Sequence, residues 1–153
     1  MGEEDQFLIG ANDGHIRLQI LRLLDYPKTC FWGGYDTKSF IEIQAQNYSA
    51  NAEIYISTYE IYKFYIQLNE SYKSLKGNAF LKSYEGNLNL NISFNELGHI
   101  EINGEFKAEM HSVTKLTFEL SGDQSYMLST LNSLIQIVDK YGNQYGSKQA
   151  HGS

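Results

Sequence analysis

Along most of this chain hydrophobic and polar residues alternate one by one, the period of strands with one wet face. Ile16, Leu18 and Ile20 alternate with His15, Arg17 and Gln19 and predict an early strand. The alternation slips between Leu21 and Leu24, which predicts a bulge or a strand buried on both faces. From Phe40 to Gln46, Ile41, Ile43 and Ala45 share one face while Glu42 and Gln44 point the other way. Ala52, Ile54 and Ile56 repeat the pattern from Asn51 to Ser57.

The period then lengthens. Ile61, Phe64, Tyr65, Leu68, Tyr72 and Leu75 fall at three- and four-residue steps, the stripe of an amphipathic helix. Ser57-Thr58-Tyr59-Glu60 fits a capping box, with Ser57 bonding an orphan amide and Glu60 reaching back. Lys73 and Lys76 suit the negative end of the helix dipole, and Gly77 supplies a left-handed stop.

Strands resume at Ala79 to Tyr84, and a Glu85-Gly86-Asn87 turn leads to a strand with Leu88, Leu90, Ile92 and Phe94 inward. Beyond Leu97-Gly98 a long strand puts Ile100, Ile102, Phe106 and Ala108 inward and Glu101, Asn103, Glu105, Lys107 and Glu109 outward. Gly104 interrupts the inward row, the mark of a bulge or a close packing point. Val113 to Leu120 is the last strand, with Leu116, Phe118 and Leu120 inward. A second helix follows. Its start is a capping box at Ser121 with Asp123 as the rival cap, its stripe is Met127, Leu128, Leu131, Leu134, Ile135 and Val138, and its end is Gly142.

Strands, helix, strands, helix, each strand with a polar face, predict an α+β fold with antiparallel pairing. The expected architecture is a curved antiparallel sheet of about seven to eight strands with two helices on its apolar face. Residues 1–142 form one expected domain and 143–153 a flexible tail. The repeated Gly-His-Ile at 14–16 and 98–100 falls in different strands of the two halves and reads as chance.

Composition narrows the partners. The chain of 153 residues carries a formal net charge of -6, which disfavours direct binding to nucleic acid and favours a basic partner. A single cysteine, Cys30, leaves no internal disulfide to form. No apolar run approaches the roughly 20 residues of a membrane span, and the acidic start lacks a signal-peptide pattern, so a cytoplasmic location without membrane contact is expected.

Catalytic signatures are incomplete. His99-Ile100-Glu101 has the H-x-E order of the zinc deaminases, but the partner P-C-x-x-C has no counterpart, since the one proline is Pro27. His15, His111 and His151 match no zinc spacing, so no metal is expected. Cys30 lies in an aromatic segment, Cys30-Phe31-Trp32-Gly33-Gly34-Tyr35, without a nucleophile signature. Gly33-Gly34 is not followed by the residues of a phosphate loop, so no cofactor is implied. What remains is a surface. Glu96 to Leu120 holds Glu96, Glu101, Glu105, Glu109 and Glu119 against Lys107 and Lys115. Glu101, Asn103, Glu105, Lys107, Glu109 and Glu119 are the candidate contacts for a basic protein, although an ordinary solvated face would show the same pattern. Tyr55, Tyr59 and Tyr62 are candidate exposed aromatics.

Several short motifs, in order, resemble the WapI-type immunity proteins. They are the aromatic loop around Trp32, Gly77-Asn78-Ala79-Phe80 after the helix, Ser83-Tyr84-Glu85-Gly86-Asn87-Leu88, Gly98-His99-Ile100, and Phe118 to Met127. With the long strand before Trp32 and the amphipathic helix after it, the resemblance covers roughly residues 14 to 141; Met127 stands where leucine is usual, and the tail beyond Gly142 is extra. The resemblance implies a non-enzymatic bacterial protein that neutralises the C-terminal domain of a polymorphic toxin, a basic domain with nuclease activity as one option. Toxin-contacting surfaces diverge with the toxin, so no site residue is carried over. The alternative reading is a small-ligand or scaffold module with a pocket between sheet and helices.

Overall fold

The computed structural model describes residues 5–147. Eight strands and two helices follow one another as β1 (Gln6–Ala11), β2 (Gly14–Leu24), β3 (Asp36–Ala45), β4 (Tyr48–Ser57), α1 (Thr58–Ser74), β5 (Gly77–Lys82), β6 (Leu88–Phe94), β7 (His99–Phe106), β8 (Leu116–Asp123) and α2 (Met127–Tyr141). The α+β class, the antiparallel pairing and the number of strands are as expected. The strands divide into two four-stranded sheets, β1-β2-β3-β4 and β5-β6-β7-β8. The reason lies at Ser57. It ends β4 and caps α1 at once, its hydroxyl accepting from the Glu60 amide at 3.3 Å, so the chain leaves the first sheet before β5 can pair with β4. Ser57→Ala is expected to cost about 1 kcal/mol, read as a lower urea midpoint with unchanged slope.

The chain is thus a four-strand-plus-helix unit used twice, with each helix serving the other half. α1 packs on β5, α2 packs on β1, and the helices touch each other. β8 closes the arrangement by approaching β1 and β3, where the Asn12 amide donates to the Ser121 carbonyl at 2.8 Å. Apolar faces of both sheets and both helices meet in one core that includes Phe7, Leu18, Phe64, Ile102 and Leu134. Gly14 opens β2 and Gly98 precedes β7, so the Gly-His-Ile match does not mark equivalent strands.

Several local expectations shift. β1 lies in a stretch too short to show its period, and the slip in β2 is a register shift between Ile20 and Arg22. Leu75, with φ 55°, is the left-handed end of α1, and Gly77, also at positive φ (96°), opens β5. The Glu60 carboxylate accepts from Lys63 at 2.9 Å rather than reaching back to the cap. Asp123 caps a single 3-10 turn (Gln124–Tyr126) before α2, because Ser121 and Gly122 are still in β8. The buried stripe of α2 is Met127, Thr130, Leu131, Leu134, Ile137 and Tyr141, and Leu128 is exposed. Ala108 lies exposed in the loop after β7 rather than inward on a strand.

Residues 143–147, expected in the tail, are packed. The Gln144 carbonyl accepts from Gly34 N–H at 2.8 Å, and the Ser147 N–H donates to the Tyr35 hydroxyl at 2.9 Å. The rest of the expected tail, 148–153, lies outside the described residues. Gly104 proves a close packing point. A Cβ there would stand 2.7 Å from Phe118 Cε1, closer still to Cζ, and 2.8 Å from Leu90 Cδ2. Gly104→Ala should therefore destabilise by about 1–3 kcal/mol, and adding Phe118→Leu should recover part of the loss in denaturant titration.

Candidate partner-binding surface

The outward face of the second sheet can be read row by row from the strand register. Lys82, Asn89, Glu105 and Thr117 form one row, Phe80, Asn91, Asn103 and Glu119 the next, and Asn78, Ser93, Glu101 and Ser121 the third. Of the six candidate contacts, Glu101, Asn103, Glu105 and Glu119 therefore share this face, and all four are exposed. Lys107 and Glu109 do not. β7 stops at Phe106, and the Lys107 N–H still donates to the Asn87 carbonyl at 2.9 Å before the chain leaves the sheet. They stand in the loop that borders the face.

A groove of about 430 Å³ crosses the face between Phe80 and Thr117, bordered by Asn89, Asn91, Asn103 and Glu105. The Asn91 Oδ1 atom is buried and has no hydrogen-bond partner among the described residues. The face is less acidic than the charge count suggested. Lys115 reaches back from the loop to Glu105 at 3.3 Å, and Lys82 occupies the same row. Glu101 and Glu119 make no ion pair among the described residues, so they carry the face's unbalanced charge.

One end of the molecule is aromatic. The loop between β2 and β3 leaves Phe31 91% exposed and Trp32 47% exposed. Trp32 stacks on Tyr84 with centroids 5.1 Å apart, and Phe31 meets Trp32 edge to face at 4.9 Å. The Tyr84 hydroxyl donates to Asp36 Oδ1 at 2.9 Å. Among the candidate tyrosines, Tyr55 is exposed, while Tyr59 and Tyr62 are half-buried and stacked on each other. The sequence motif around Trp32 had pointed to a loop, but side-chain exposure there depends on Tyr84, far along the chain, and on α1.

Burial, the hydrogen bond to Asp36 and the nearby Asp36 and Glu85 charges hold the Tyr84 phenol well above its ordinary value. A raised value in the fold favours the neutral form, so this contribution to stability is complete below about pH 10 and is lost as pH rises towards the folded value. Trp32 is the one tryptophan of the chain and reports on this directly. Its emission should hold up to about pH 10 and be quenched only above it, and Tyr84→Phe should remove that late step. Quenching centred at or below about pH 10 that disappears in Tyr84→Phe would contradict the assignment.

A family model for WapI-like immunity proteins matches residues 7–142. The chain belongs to that family. No curated protein matches it in sequence. Membership of an immunity family points to a toxin-neutralising binding function. In this family member Cys30 donates from Sγ to the Gly33 carbonyl at 3.5 Å, and burial raises its pKa, which keeps the thiol protonated. His99 stands opposite Asp123 in the register, whose carboxylate is held low chiefly by its hydrogen bonds from Ser125. His15 stands near the start of β2, whose far end leads towards Cys30. No group of three His, Cys, Asp or Glu side chains able to hold a metal occurs among the described residues. No helix among them is long and apolar enough to cross a membrane.

Proposed function

We propose that this chain neutralises the C-terminal domain of a cognate polymorphic toxin by covering its active or substrate-binding surface with the outward face of the second sheet. Membership of the immunity family over residues 7–142 carries the reading. The face supports it: Glu101, Asn103, Glu105 and Glu119 stand together on a rigid four-stranded sheet, with Lys107 and Glu109 at its border. The mechanism is occupancy. A basic toxin surface is drawn in by Glu101 and Glu119, which speeds encounter, and apolar contacts then slow release. The bacterial cytoplasm, where such a toxin reaches its target, is the place of action, and no cofactor takes part.

A ligand-binding role draws no support from the cleft between α1 and β5, of about 380 Å³. Two of its polar side chains are already committed: Gln67 Oε1 accepts from the Phe80 N–H, and the Ser74 hydroxyl bonds the Glu70 and Lys76 carbonyls. The deciding experiment is co-expression of this chain with the toxin domain encoded in the neighbouring reading frame, followed by co-purification. The expected result is rescue of growth and a stable complex. Absence of both, with micromolar protein, would overturn the reading.

A further inference from the structure

We infer that the Phe31–Trp32–Tyr84 cluster is the apolar anchor of the interface, taking an arginine or lysine side chain of the toxin domain against its rings. The inference rests on the toxin-binding reading above. Large rings normally contribute to a core, but Phe31 contributes nothing to this one; its gain from burial is available only to a partner. The loop is nevertheless held in place. Cys30 N–H donates to the Gly34 carbonyl at 2.8 Å, Gly33 N–H to the Cys30 carbonyl at 3.0 Å, and Gly34 N–H to the Gln144 carbonyl at 2.8 Å. Just beyond it, Tyr35 N–H donates to Thr58 Oγ1 and Thr58 N–H to the Tyr35 carbonyl, both at 2.8 Å, which ties the loop to the first turn of α1. Rings presented on a braced loop lose little freedom on binding, the property of an interface hot spot.

Charge selects the occupant. Asp36 accepts from the Tyr84 hydroxyl and Glu85 is the next residue, so carboxylates stand at the edge of the cluster. Aromatic faces beside carboxylates favour a cation with an apolar stem, which a guanidinium or ammonium side chain supplies. The site also adjoins the proposed toxin-covering face. The turn after Tyr84 contributes Gly86 and Asn87 to a cleft of about 180 Å³ that is shared with Glu105, Lys107 and Lys115. A basic domain lying on the sheet face would therefore reach the aromatic end without a gap.

Calorimetric titration with the purified, catalytically inactivated toxin domain from the neighbouring reading frame tests this. Phe31→Ser and Trp32→Ala should each weaken binding by about 30-fold or more. Trp32→Leu, which keeps apolar bulk and loses the ring face, should weaken it about fivefold. Phe31→Ser should melt like the wild type, because its ring is exposed, so a loss of affinity there is not a loss of fold. Wild-type binding with both truncations within about threefold would overturn the anchor and leave the toxin-binding reading standing. A wild-type chain that does not bind would overturn that reading, and the anchor with it. A wild-type dimer that Phe31→Ser dissociates, at unchanged toxin affinity, would assign the cluster to a second copy and also overturn the proposal.

Discussion

Replacing Tyr35 with alanine should lower the unfolding free energy by about 3–5 kcal/mol, the range for removing a large ring from a packed core. Tyr35 is fully buried, and its ring packs on Tyr26 at 5.1 Å and Tyr141 at 6.5 Å. Its backbone exchanges two bonds with Thr58 and its hydroxyl receives the Ser147 N–H, so one residue joins β3, the start of α1 and the segment after α2. Tyr35→Phe separates the parts. It keeps the ring and leaves the buried Ser147 N–H without its acceptor, at an expected cost of about 1–3 kcal/mol. Urea unfolding of both variants measures the difference. Equal losses would mean that the hydroxyl, not the packing, dominates. The alanine variant should also loosen the aromatic loop, visible as a red shift of Trp32 emission before global unfolding.

Reversing the two unpaired acids of the sheet face, Glu101→Lys with Glu119→Lys, should slow association with a basic toxin domain by on the order of 10- to 100-fold. The change should fall on the association rate, because these side chains are exposed and make no packed contact that release must break. Raising the salt concentration should slow the wild type and affect the reversed variant less or in the opposite sense. Glu105→Lys alone should do less, since Lys115 already offsets Glu105. Stopped-flow mixing at two ionic strengths measures all three. A rate unchanged by the double reversal would move the interface off this face.

Much of the fold was legible from local pattern. The alternation at Leu88, Leu90, Ile92 and Phe94, and at Ile100 and Ile102, gave the correct inward faces, because a strand's two sides are set by a period of two wherever it pairs. Ser57 as a cap, the bulge near Leu21 and the crowding at Gly104 were legible for the same reason, since each is a demand on one residue and its neighbours. The ends of elements were less so. Leu75 takes the left-handed position that ends α1, while Gly77, also at positive φ, opens β5 opposite Phe94. The rotated stripe of α2 follows β1: Thr130 Oγ1 donates to the Leu8 carbonyl at 2.6 Å, turning Leu128 to solvent.

The candidate surface was legible in part. The outward placement of Glu101, Asn103 and Glu105 followed from alternation, but Glu119 joined them only through the pairing of Asn103 with Glu119. Lys107 and Glu109 were misplaced because alternation continues in the letters after the strand has ended in space. The aromatic end was visible as a motif and not as a surface.

By itself, then, the sequence determined both helices and every strand but β1, the apolar face of those strands, and that the pairing is antiparallel. The tertiary structure alone decided that the strands split into two sheets, that each helix covers the opposite half, and that Phe31 and Trp32 stand exposed beside Tyr84. The physical reason is range. Side-chain period and capping act within a few residues, whereas the choice of pairing partner and the conformation of a braced loop depend on contacts between residues far apart in the chain.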